Sequence, residues 1–150
     1  MLTPASTRFR RAASACLGAV PLLLLAGCGL GTKLEYAEVE GTVTLGGKSL
    51  SGVNVTFYPD SEGAEQLPYA TGKTDDAGRY TLTLQSGKPG ALVGKNRVVV
   101  SWPAPERRDD QPRPPPPGPA IPVRYTVVTE TPLVVEVEPG GRQTIDLPLN

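Results

Sequence analysis

The 150-residue sequence contains no histidine. Zinc hydrolases, Ser-His-Asp triads and Cys-His pairs all use an imidazole as metal ligand or as a base near neutral pH, so this absence excludes all three. Cysteine is scarce, with only Cys16 and Cys28, too few for a disulfide-stapled scaffold. There is one tryptophan, so an aromatic binding surface would have to be assembled from it and a few tyrosines. Neither charge sign is in excess, with 15 basic and 15 acidic residues, and nothing suggests nucleic-acid binding. Helix-period stretches are missing after Cys28. No apolar run reaches the ~20 residues that a membrane-spanning helix needs.

What is present begins with a basic patch, Arg8, Arg10 and Arg11, directly before an apolar run over residues 12–25. This is the layout of a secretory signal. The run ends in Leu25, Ala26, Gly27 and Cys28, and these four residues resemble the lipobox of bacterial lipoproteins. The resemblance implies that the Cys28 thiol takes a diacylglycerol and that the chain is cut between Gly27 and Cys28, leaving an amine open to acylation. Residues 1–27 would then be a cleaved signal helix. Cys16 leaves with it, so no disulfide can form in the mature chain. Gly29 follows Cys28 where inner-membrane retention would place an aspartate. That resembles sorted lipoproteins and implies a cell-envelope location, lipid-anchored, with the outer membrane favoured over the inner in a two-membrane bacterium.

Removing 27 of 150 residues leaves 123, a normal size for one domain. The signal takes three arginines and no acid, leaving 12 basic against 15 acidic residues, a net charge of −3. Residues 28–37 read as a lipidated tether, and residues 38–150 as the domain. Val39, Gly41, Val43 and Leu45 alternate with Glu40, Thr42 and Thr44, which predicts a half-buried strand. Gly46 and Gly47 supply a tight turn into a second strand over residues 53–58, with a kink at Ser51 and Gly52. A short strand follows around residues 69–74, then a turn at Asp75, Asp76, Ala77 and Gly78. Residues 79–84 alternate again, with Tyr80, Leu82 and Leu84 on one face. Residues 87–94 read as loop. In residues 95–102, consecutive Val98, Val99 and Val100 predict a central strand covered on both faces. Prolines dominate residues 103–122, which read as an extended surface loop because proline has no N–H for a ladder. Residues 123–128 read as a short edge segment. Residues 133–137 and 144–149 read as a final hairpin around Pro139, Gly140 and Gly141. About seven short strands and no helix predict an all-β fold, a single β-sandwich.

Three segments then suggest a family: Val39, Glu40, Gly41, Thr42 and Val43; residues 50–58; and residues 74–82, TDDAGRYTL. They resemble the carboxypeptidase regulatory-like domain, a transthyretin-like (prealbumin-type), Ig-like β-sandwich. The closing pattern of Ile121, Pro122, Arg124 and Tyr125, then Thr131, Pro132 and Leu133, then Asp146, Leu147, Pro148 and Leu149, is similar to that of small bacterial lipoproteins carrying such a domain. The resemblance implies a non-catalytic accessory module. The hydroxyisourate hydrolases on the transthyretin-like fold depend on histidines and a C-terminal Tyr-Arg-Gly-Ser, and this sequence has neither.

Other motifs read as structure. Gly47, Lys48 and Ser49 lack the upstream glycine and the following helix of a phosphate-binding loop, so a hairpin turn is favoured. Asn54, Val55 and Thr56 form a glycosylation triplet inside a strand, read as coincidence. Asp75 and Asp76 read as a solvated turn, since calcium wants six or more oxygens. No metal site and no cofactor are expected. Tyr69, Trp102 and Tyr125 are candidate ligand-contact aromatics, with core or rim packing as the competing reading. Prolines 114–117 read as a stiff spacer rather than a recognition segment. The expectation is an envelope-anchored, non-enzymatic lipoprotein, a monomer working as a structural or accessory binding module. It would meet the membrane through the lipid on Cys28 and an envelope protein or polysaccharide through the domain. The rival is a carbohydrate- or peptide-binding module at the cell surface that uses those aromatics.

Overall fold

The computed structural model describes residues 34–104 and 115–150. These carry twelve short strands, numbered in chain order, and two short 3-10 turns. The fold is all-β, as the alternating runs require. One sheet is antiparallel throughout, in the order β10 (Val134–Val137), β9 (Gly94–Ser101), β4 (Asn54–Pro59), β5 (Ala70–Lys73) and β7 (Thr83–Leu84). The other is built on β2 (Val39–Leu45). Along one edge of β2 run β11 (Gln143–Thr144) and β12 (Leu147–Leu149), both parallel to it. Along the other edge run β6 (Arg79–Thr81) and β3 (Lys48–Ser49), both antiparallel. A separate pair joins β1 (Tyr36–Ala37) to β8 (Ala91–Leu92).

The core lies between the two main sheets. Val39 and Val43 of β2 and Leu147 and Leu149 of β12 meet Val55 and Phe57 of β4 and Val98 and Val100 of β9 in one buried cluster. Phe57 and Tyr80, one from each sheet, are 6.2 Å apart between ring centroids. The valine run behaves as expected: Val98 and Val100 are fully buried, Val99 on the opposite face retains 9% exposure, and β9 sits between β10 and β4. Asn96 is a buried polar exception. Its Nδ2 donates to the carbonyls of Leu92 and Gly94, tying down the corner between β8 and β9.

Several segments fold differently from their sequence reading. The tether is shorter than residues 28–37, because Tyr36–Ala37 is a strand with Ala37 buried. Gly90 permits this, since a Cβ there would stand 2.2 Å from the Ala37 carbonyl oxygen. The same pairing places β8 inside the expected loop at residues 87–94. The Gly46–Gly47 turn forms, with φ of 55° and 80°, but it returns the chain only as β3. Gly52, at φ 76°, then diverts it into the other sheet, so β2 and β4 are not a hairpin. The run at 79–84 keeps its buried alternation but splits, β6 pairing with β2 and β7 with β5. Residues 123–128 open with a 3-10 turn, Val123–Tyr125, rather than an edge strand. The last two runs also part, β10 joining β9 while β11 and β12 join β2. This crossing of strands between sheets turns about seven sequence runs into twelve segments.

Candidate functional site

Alternation along β2 sends Val39, Gly41 and Val43 inward and leaves Glu40, Thr42 and Thr44 on the outer face. Register then sets Thr144, Glu40 and Thr81 in one row across the sheet, with Thr42 beside Arg79 in the next. Rows of this kind are ~6.8 Å apart along the strands, with neighbours ~4.8 Å apart across them. Lys73 and Asp75, at and just beyond the end of β5, stand beside β6. Together these residues line an open groove of about 550 Å³.

Its floor depends on a close approach. Between β11 and β12 the chain passes β2 in unbroken register at Ile145 and Asp146, and a Cβ on Gly41 would lie 1.9 Å from the Ile145 carbonyl oxygen. Only glycine fits there. The Tyr80 hydroxyl donates to that same carbonyl at 2.6 Å, and the Thr42 amide donates to Asp146 Oδ1 at 2.8 Å. Burial, reinforced by the negative charge of Asp146, pushes the Tyr80 phenol well above its ordinary pKa.

Asp75, Arg79 and Glu40 at the groove are engaged with one another, with backbone or with Arg142. Asp75 Oδ1 accepts from the amides of Arg79 and Ala77, at 2.8 and 2.9 Å, and Oδ2 faces Arg79 Nε at 3.4 Å. The Arg79 amide above all, then the Ala77 amide and the guanidinium charge, holds this carboxyl below the usual carboxylate range against some desolvation. Arg142 lies 3.0 Å from Glu38 and 3.8 Å from Glu40. A carboxylate satisfied this way is a poor base, and a phenol with a raised pKa does not ionise near neutrality. What the groove offers is hydroxyls and fixed charge pairs, suited to holding a polar ligand.

The candidate aromatics do not assemble. Tyr125 is buried, and its hydroxyl accepts from the Asn150 amide at 3.1 Å and from Arg124 at 3.2 Å. Those two donors, the amide first, lower its pKa. Trp102 is half-buried against Gly118, where a Cβ would stand 2.3 Å from the indole, and its Nε1 donates to the Pro119 carbonyl at 3.1 Å. Tyr69 packs on Tyr58 with ring centroids 5.3 Å apart. The shared three-ring platform is therefore corrected: one ring is core, one clasps the proline-rich segment, and one pairs with a tyrosine that sequence reasoning had not singled out. Leu25, Ala26, Gly27 and Cys28 lie outside the described residues, as do residues 105–114 of the loop.

No family model matches the chain, and no curated protein matches it. Among solved structures, it is similar to the crystal structure of a DUF3823 family protein from Parabacteroides merdae. The identity is 17% and the TM-score 0.43, over 78% of this chain and 47% of that one. This chain thus spans about half the length of that neighbour.

Sequence reasoning treated Glu40, Thr42, Thr81 and Thr144 only as the outward halves of strands, and it read Lys73 within a short strand. The alternation that would place them outward was visible. The register that sets them side by side was not, because it joins residues some hundred positions apart.

Proposed function

We propose that the chain is an exported lipoprotein, held in the cell envelope by lipid on Cys28, whose β-sandwich works outside the cytoplasm as a non-enzymatic binding or structural module. The observation that carries this reading is the order of elements at the N-terminus: Arg8, Arg10 and Arg11, a 14-residue apolar run, then Leu25, Ala26, Gly27 and Cys28. Each buried methylene of an acyl chain contributes ~0.8 kcal/mol, so two or more long chains hold a protein at a membrane for good. The groove supports binding over catalysis, since the Asp75 carboxylate is held ionised with its oxygens occupied by amides and Arg79, and the Tyr80 phenol is held protonated. The rival reading, a carbohydrate- or peptide-binding module, keeps a place only if it moves from the aromatics to this groove, whose hydroxyls and fixed charges suit a polar chain. The accessory role fits the resemblance to the carboxypeptidase regulatory-like domain.

Growth with an alkynyl fatty acid tests the reading. The wild-type chain should take up the label and sediment with membranes, while Cys28→Ala should be unlabelled. Equal labelling of both chains would sink the proposal.

A further inference from the structure

The domain has two distinct ends. At one end, β1 enters, β9 starts at Gly94, and Arg142 bonds Glu38 ahead of β2. At the other lie the Gly46–Gly47 turn, Gly52, and Trp102 at the end of β9, clasped by Gly118 and Pro119. The separation is roughly the length of β9, eight residues, or ~26 Å at the rise of an extended strand.

The chain is fixed from Glu35 onward, because the Glu35 carbonyl accepts from the Val93 amide at 2.9 Å. Six residues, 29–34, therefore separate Cys28 from the fixed domain. Seven Cα steps reach at most ~25 Å. Turning the sandwich over, so that the Trp102 end touched the membrane, would need the connection stretched to its limit along the whole domain. Entropy opposes that.

We infer that the end bearing β1 and the start of β9 lies against the lipid surface, and that the opposite end, with the Trp102 clasp and the Gly46–Gly47 turn, is presented away from the membrane. This rests on the lipid anchor proposed above. The near end carries Glu35, Glu38 and Glu138 as well as Lys88, Lys95 and Arg142, so charge attraction to anionic lipid does not set the orientation. The short connection does.

The mature chain offers a clean test, since Cys16 leaves with the signal and the Cys28 sulfur is consumed by lipid. The full-length protein is purified in lipidated form and reconstituted into phosphatidylcholine vesicles carrying a nitroxide headgroup quencher. A fluorophore is placed on a single new thiol, K95C at the near end or K48C at the far end; both positions are exposed. The Lys95 probe should be quenched at least two-fold more than the Lys48 probe. A 20-residue Gly-Ser insertion after Gly31 should remove most of that difference. Equal quenching without the insertion, or stronger quenching at Lys48, overturns the orientation while leaving the anchor intact. Failure of the wild-type protein to float with the vesicles overturns the anchor and the orientation together.

Discussion

The two main sheets enclose one core but hold together differently. In the antiparallel sheet, β4 and β9 are registered over six consecutive residue pairs, and β10 and β9 over four. In the sheet around β2, four short partners attach to a single strand, and the gap between β11 and β12 is closed by Gly41, the Tyr80 hydroxyl and the Asp146 carboxylate. Long ladders spread stability over many backbone bonds. The β2 sheet concentrates it in a few contacts, and two of the residues that make them, Gly41 and Tyr80, line the groove.

Substitutions can break or sharpen that contrast, beginning with the most severe. Val100→Asp should unfold the protein, because it buries an unpaired charge at a fully enclosed site in a domain with only ~5–15 kcal/mol to lose. Val134→Asp, at an exposed position of the neighbouring strand β10, should cost clearly less. Urea midpoints for the pair report how sharply burial divides the sheet. Gly41→Val comes next. The Ile145 carbonyl is backbone and cannot step aside, so a loss of ~3 kcal/mol or more is expected. Gly47→Ala, where a side chain meets open space and only the positive φ opposes it, should cost ~1 kcal/mol. Similar midpoints for these two glycine variants would show that β2 is not the fastening point.

Tyr80→Phe removes the hydroxyl from Ile145 and should cost ~1–2 kcal/mol by thermal melting. The wild-type protein should also lose stability as the pH rises above ~10, where an unfolded tyrosine ionises while buried Tyr80 stays protonated, and the variant should lose less. Asp75 gives the acid counterpart. Its pKa is lowered by folding, so its stabilisation is present above the unfolded value of ~3.9 and is lost as the pH falls through the lower folded value. Asp75→Asn should flatten the urea midpoint below about pH 4, and an unchanged acid profile would refute the turn geometry. The smallest effect is expected from replacing residues 105–114 with a short Gly-Ser link, since loop closure changes by only ~0.6 kcal/mol per doubling of length. The link must spare Gly118 and Pro119. Gly118→Ala should shift the emission of the single tryptophan, whereas the shortened loop should not.

Much of the fold was legible in the sequence because burial imposes a two-residue period that any strand must show. Val39 and Val43, Tyr80, Leu82 and Leu84, and Val98 and Val100 all stood out in that way. The glycine turn at residues 46–47 and the Asp75 turn were legible from turn chemistry. Pairing was not. Residues 38–45 and 53–58 look like a hairpin from their spacing, and only the positive φ of Gly52 shows that the chain changes sheets there. The parallel pairing of β11 and β12 with β2 joins the two ends of the domain, and no local signal announces it. For the same reason the groove was invisible, while Tyr125, conspicuous as an aromatic, proved to be core.

The central claim is that this sandwich is carried on a lipid at Cys28, and the intact mass of the mature protein extracted from its own membranes tests it most directly. The expected spectrum is that of a chain starting at Cys28 with a diacylglycerol on its sulfur, with or without a further acyl group on its amine. A mass matching the chain from Met1, or an unmodified chain beginning near residue 28, would contradict it.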